Sequence, residues 1–229
     1  MVNFAGRPIQ FVPQESLPDD EPYEFFIGRT GCVPTRDNLH DFFNGLIWLH
    51  FPQTKARLNQ LQFAQLNATQ DVTGRACRVG NSRGPLRDAA TIFDENAALM
   101  IGQNGDVAKL LSDRMWSTAF IERRGDFGRS CDVVLFGHAL LEKLVRPYPS
   151  ITAHCFSLNA TESSIPSIPV NSDGAIMALD QLTASRLSSA LATSSFFPVP
   201  VLGFPGWCSG QDEAFYANDS VFRGVKSRR

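Results

Sequence analysis

The chain has 229 residues, 43% of them hydrophobic and 18 of them Phe, enough for one well-developed core or two small ones and unlike a disordered chain. Its formal net charge of −2 excludes a global electrostatic pull toward nucleic acid or a membrane surface. No apolar run approaches the roughly 18–20 residues of a membrane span, since Gly45 and His50 interrupt the best candidate.

The N-terminal MVNFAGRPIQ lacks the basic-then-apolar pattern of an export signal. The five cysteines, Cys32, Cys77, Cys131, Cys155 and Cys208, are widely spaced with no CxxC pair. Together these predict free thiols in a reducing cytoplasm. The Asn-x-Ser/Thr matches at Asn67, Asn159 and Asn218 are then fortuitous.

In chain order, residues 1–22 are rich in Pro, Asp and Gln and predict an extended arm over the surface. The aromatic run YEFFI at 23–27 sits between turn residues and predicts a strand; residues 28–36, with Gly28, Gly31 and Pro34, turn the chain. From 37 the pattern changes. Leu39, Phe42, Phe43, Leu46, Ile47 and Leu49 recur at helical spacings behind Asp37 or Thr35 as N-cap. So many apolar positions predict a helix buried on most sides. Pro52 cannot continue that helix but suits the first turn of the next, which runs through Lys55, Leu58, Leu61 and Leu66. The pair reads as a helix–corner–helix core.

Residues 72–85 read as a loop carrying Arg75, Arg78 and Arg83 with no acidic residue, and Arg87 follows. A short helix is expected at 86–93 and a short strand at 98–101, closed by the Asn104-Gly105 turn signal. Asp106 caps a helix through Val107, Leu110, Leu111 and Met115 toward Ile121, broken by RRGDFGR at 123–129. Residues 131–145 form the second strongly apolar helix, holding Gly137, His138 and Glu142 and ended by Pro147 and Pro149. Residues 151–158 alternate as a strand, 159–174 are a Ser/Pro-rich loop, and 178–192 are a last amphipathic helix. The tail from Phe196 is too rich in Pro and Gly for regular structure, yet too aromatic to be left in water. The expected fold is therefore α+β: one helix-dominated domain over 1–229. Its small sheet comes from 23–27, 98–101 and 151–158, and the Pro/Gly/aromatic-rich C-terminal tail packs on the body.

The sharpest chemical constellation is His40-Asp41 and Asn44 on one helix with His138 and Glu142 on another, Asp94 and Glu95 adding carboxylates. Each pair sits on an apolar helix, where an unsatisfied polar group costs about 1–3 kcal/mol. Bringing the stripes together lets the groups satisfy one another, which predicts the two imidazoles within about 12 Å, the reach of one metal or one bridging water. His40, His138 and Glu142 are the metal-ligand candidates for a divalent ion. A His–Glu pair at i, i+4 is equally an ordinary helix salt bridge, and no HExxH is present. The His-Asp dipeptide is similar to that of the phosphohydrolases named for it, but they need a histidine well upstream, and the first here is His40. Arg75, Arg78, Arg83 and Arg87, with glycines nearby, are the anion-binding candidates. A solvated loop explains those arginines too. No GxSxG exists, and His154 and Cys155, adjacent in a strand, face opposite ways.

The stretches VPTRDNLHDFFNGLIWLHFPQTKARLN, RDAATIFDENAALM, FGHALLEKL, PVLGFPGW and FYANDSVFR resemble, in order and over nearly the whole chain, a mainly proteobacterial family catalogued as domain of unknown function 3025. The resemblance implies a single-unit, cytoplasmic bacterial protein and no particular reaction. One departure is FDENAALM where FDENGALL is the expectation, which removes a glycine just after Asp94-Glu95-Asn96. Three functions stay open. The first is a hydrolase-like or phosphate-processing enzyme with the His/carboxylate site, using a divalent metal ion on a small-molecule or phosphate-bearing ligand. The second is a non-catalytic binder of an anionic partner, nucleic acid or nucleotide, through the Arg loop and the basic end (Arg223, Lys226, Arg228, Arg229). The third is an interaction protein whose buried His/Asn/Glu network is purely structural.

Overall fold

The computed structural model describes residues 1–68, 84–102, 105–159 and 168–224. In order they form β1 (Gln10–Pro13), α1 (Tyr23–Thr30), β2 (Cys32–Thr35), α2 (Leu39–His50), α3 (Pro52–Ala68), α4 (Pro85–Asn96), β3 (Ala97–Gly102) and α5 (Asp106–Ser112). There follow β4 (Cys131–Leu135), α6 (His138–Leu144), β5 (Thr152–Asn159), α7 (Asp173–Arg186), β6 (Phe196–Pro200) and α8 (Glu213–Tyr216). The fold is α+β, with helices on both faces of a small sheet. No helix among the described residues is long and apolar enough to cross a membrane.

β3 explains the layering. Its run AALMIG is buried at every position but the last, the pattern of a strand covered on both sides. The sheet order is β4-β3-β5-β6, with β3 and β5 parallel and the outer pairs antiparallel. Side chains alternate across the sheet. Ala98 and Met100 join the core with Leu111, Trp116 and Phe120 and with Phe204, Tyr216 and Phe222 of the tail. Ala97, Leu99 and Ile101 join Phe51, Leu58, Phe93 and Leu179, from the layer of α3, α4 and α7. A two-stranded parallel pair, β1 with β2, sits apart.

The helix–corner–helix is present, with Pro52 opening α3. The cap of α2 is Asn38, whose side chain accepts from Asp41 N at 2.8 Å. The orphan amides opening α3 are met by a distant residue: buried Asp180 of α7 accepts from Gln53 N at 2.9 Å and Thr54 N at 2.8 Å. Ala97 leaves α4 at φ −75°, ψ 145°, a conformation open to any residue, so the absent glycine is not needed there.

Several expectations are corrected. YEFFI is α1, not a strand: Gly31 ends the helix in the left-handed region at φ 80°, and Phe25 stacks on Phe63 of α3 with ring centroids 4.7 Å apart. Packing against α3 outweighs aromatic β-propensity here. Residues 131–145 are not one helix but β4, a break at Phe136-Gly137, then α6; the β-branched Val133-Val134 pair extends into β3's open edge. The last long helix begins at Asp173, capped by Ser172 accepting from Ala175 N. Residues 196–200 are a regular edge strand, where Pro198 and Pro200 are tolerated. The sheet therefore contains β4 and β6 in place of 23–27. α2 is buried on one side only, with Leu39, Phe42 and Leu49 each more than half exposed. The tail packs as expected through Val201 and Phe204, but Trp207 is partly exposed. Among the described residues Cys32, Cys131, Cys155 and Cys208 are free thiols; Cys77 lies outside them.

Candidate metal centre

Three elements deliver the site. Asn38 starts α2 so that His40 falls in its first turn. α4 ends with Asp94 and Glu95 just before β3. β4 runs antiparallel to β3, and Phe136 N and Gly137 N both donate to Ala97 O, at 3.0 and 2.9 Å. That returns the chain to the end of α4 and opens α6 with His138 beside Glu95. α2 packs on α6 and brings His40 over. Gly137 is the hinge of the arrangement: a Cβ there would lie 2.5 Å from Asn96 N and from Glu95 O, a backbone collision. We expect Gly137→Ala to cost about 1–3 kcal/mol and to separate Glu95 from His138. Thermal denaturation measures the first, and loss of metal affinity the second.

His40 Nε2 and His138 Nε2 are 3.0 Å apart, the rings edge-on at 77° with centroids 4.5 Å apart. Glu95 Oε2 lies 3.7 Å from His138 Nε2. One ligand atom from each of His40, Glu95 and His138 falls within 4.8 Å of the others. Behind the rings stand two more carboxylates. Glu142 Oε2 is 3.0 Å from His40 Nδ1, and Asp94 Oδ2 is 3.9 Å from His138 Nδ1, longer than a hydrogen bond.

This pattern has a chemical reading. Glu142 behind His40 Nδ1 can hold the proton there and leave its Nε2 lone pair free, the arrangement of metal-bound histidines; His138 Nδ1 is buried with no hydrogen-bond partner among the described residues. With both rings in that tautomer two lone pairs would face each other, and a cation between them would satisfy both; with one ring in the other tautomer the same contact is a His–His hydrogen bond. Two nitrogens on a tetrahedral ion, each at about 2.0–2.1 Å, stand about 3.3 Å apart, close to the observed spacing. Burial holds His138 below the ordinary imidazole range, Lys55 and His40 assisting against Asp94 and Glu95. It is then neutral near pH 7, as a ligand must be.

A buried polar chain backs the site. Lys55, 4% exposed, places Nζ 2.6 Å from Asp94 Oδ1 and 2.9 Å from Asn44 Oδ1, over the Trp48 ring at 5.3 Å. Asn44 Nδ2 donates to the Tyr23 hydroxyl at 3.1 Å. Burial pushes Asp94 up, but Lys55, His138 and His40 outweigh it and hold the carboxyl below its usual range. Burial, with Glu24 and Asp94 adding, holds the Tyr23 phenol up, so it stays protonated.

The candidates separate as follows. His40 and His138 converge. Glu142 sits on the far nitrogen of His40, and Glu95 is the carboxylate that groups with the two facing Nε2 atoms. Asp94 stands behind His138. Asn44 serves Lys55 and Tyr23, not the histidines. Asp41 accepts from Arg36 N, Nε and Nη2 at 2.6, 2.9 and 3.0 Å. It therefore locks the β2–α2 corner; burial raises its carboxyl, and Arg36 more than offsets that. Arg75, Arg78 and Arg83 lie outside the described residues; Arg87 faces the site. Lys55, Tyr23 and Glu24 were missed. The signal for Lys55 was its place in the apolar register with Leu58 and Leu61.

His40, Asp94, Glu95 and His138 line a cavity of about 460 Å³, together with Tyr23, Glu24, Asn44, Gln62, Arg87 and Thr91 and with Gln14 and Leu17 of the N-terminal arm. That volume is in the range of small-molecule sites. A family model described as Protein of unknown function (DUF3025) matches residues 9–226. No curated protein and no solved structure matches the chain.

Proposed function

We propose that this chain, which belongs to the DUF3025 family, is a cytoplasmic metal-dependent hydrolase of a small-molecule substrate. Its divalent ion is held by His40 Nε2, His138 Nε2 and Glu95. The observation that carries this is the pair of Nε2 atoms 3.0 Å apart, with Glu95 at 3.7 Å and Glu142 bonded behind His40, on the wall of a cavity. Three protein ligands beside open space are the pattern of catalytic, not structural, sites. Such an ion lowers the pKa of bound water to about 7 and polarises the bond to be cleaved. The chain's own residues then orient. Glu142 sets His40, and Tyr23 offers an O–H donor to the substrate. The four described cysteines are free thiols, the state a reducing compartment keeps.

The test titrates chelator-treated protein with Zn²⁺ and Mn²⁺ by calorimetry, then screens phosphate-ester, carboxylic-ester and amide substrates. One ion per chain and hydrolysis removed by chelator, restored by metal, are expected. Stoichiometric binding without hydrolysis of any class would reject the enzyme; no binding would leave a His–His hydrogen bond in a structural network.

A further inference from the structure

We infer that the cavity recognises a compact oxyanion, phosphate or carboxylate, through the Arg87 guanidinium and the Tyr23 hydroxyl, so that the ligand reaches from that group to the His40–His138–Glu95 cluster. The inference builds on the proposed metal centre for the position of the reacting end, while the anion site itself stands on separate residues.

α4 forms one wall. Arg87, Thr91, Asp94 and Glu95 all line the cavity and recur at helical spacing. Arg87 and Glu95 are eight residues apart, about 12 Å along the axis. The wall is thus cationic at one end and ligand-bearing at the other. The other charges facing the cavity have partners. Arg36 donates to Asp41, and Asp94 accepts from Lys55. Glu24 accepts from Asn59 Nδ2 at 2.6 Å. Arg87 is different: its Nε is shielded from water with no hydrogen-bond partner among the described residues. Glu24 is one acidic group on which it acts electrostatically. That carboxyl is held above its usual range, first by desolvation and then by Asp94, with Lys55, Asn59 and Arg87 acting against them. A buried guanidinium nitrogen without an acceptor carries a penalty; Arg87 as a whole lines the cavity, where its guanidinium can take an oxyanion bidentately.

Tyr23 supplies the second donor. Its oxygen accepts from Asn44, and its own proton has no acceptor among the described residues. The ligand class that follows is a small molecule with a phosphate or carboxylate roughly two helical turns from the bond cleaved.

The experiment measures binding of inorganic phosphate and of acetate by calorimetry at fixed ionic strength. It uses the full chain, as purified and after chelator treatment, so that an anion held by a metal ion is separated from one held by Arg87. Wild type should bind at least one probe in both states, and Arg87→Gln and Arg87→Lys should each weaken it by about tenfold or more. Tyr23→Phe should weaken it by about threefold. Zn²⁺ affinity of the Arg87 variants should stay within about twofold of wild type, since Arg87 is no ligand. The tighter probe identifies the anionic group. Equal binding by wild type and Arg87→Gln, or no binding of either probe by wild type, overturns the inference. If Arg87→Gln melts early, Arg87→Lys and Tyr23→Phe decide: unchanged phosphate and acetate binding in both overturns it. Failure of the metal reading shows separately, as absent Zn²⁺ binding with the anion result intact.

Discussion

His138→Ala will abolish stoichiometric binding of a divalent cation, with an affinity loss above about 100-fold, and will leave the fold in place. Removing a residue that only orients a ligand costs 10–100-fold, and in the proposed centre His138 is the ligand itself. The variant leaves a small gap beside Asp94 Oδ2, which keeps its Lys55 partner through Oδ1. The folded state therefore gains no unpaired charge. Glu142→Gln is the graded companion. It keeps an acceptor near His40 Nδ1 but removes the charge, and should cost about tenfold. Calorimetric titration reads both. A His138→Ala protein that binds Zn²⁺ like the parent contradicts the assignment. One that unfolds instead makes the histidine pair a structural network.

Asp94→Ala should be the most destabilising change at the site. Lys55 is buried with Asp94 as its only ion-pair partner among the described residues, and Asn44 gives it one neutral acceptor. Removing one member of such a pair leaves an uncompensated charge, at about 3–5 kcal/mol. In a chain of this size that corresponds to a fall of roughly 6–20 °C in melting temperature. Lys55→Met should be costly for the same reason, although Asp94, 14% exposed, retains more access to water. The double variant Lys55→Met/Asp94→Leu should recover much of the loss, because replacing a buried pair with apolar groups is often near neutral. Thermal and urea denaturation give the cycle. Additive losses in the double variant would show that the two residues do not act as a pair.

The meeting of His40 and His138 was legible because the physics was local. Two histidines on apolar stretches, each followed one turn later by another polar group, had to find partners, and the partners that cost least were each other. The corner at Pro52 was legible from proline's missing N–H. What misled was the run at 131–145. Its apolar residues fit a helix, but Val133-Val134 pair with β3, and Gly137 must pass close to the α4 backbone. That contact is long-range and leaves only a lone glycine as its local mark. Glu95 and not Glu142 lies beside the facing Nε2 atoms for the same reason, since β4 returns the chain to the end of α4. The aromatic run at 23–27 could be a strand or a helix until Phe63 of α3 was there to pack against Gly28 and Phe25. Lys55 stood in the apolar register of α3, and a lysine there signals a buried partner; its partner Asp94 lies 39 positions away.

X-ray absorption at the zinc edge of the metal-loaded chain tests the central claim most directly. A first shell with two imidazole nitrogens and oxygen ligands at about 2.0–2.1 Å is predicted, with the imidazole contribution lost in His138→Ala. A shell of oxygen alone, or an unchanged spectrum in that variant, contradicts it.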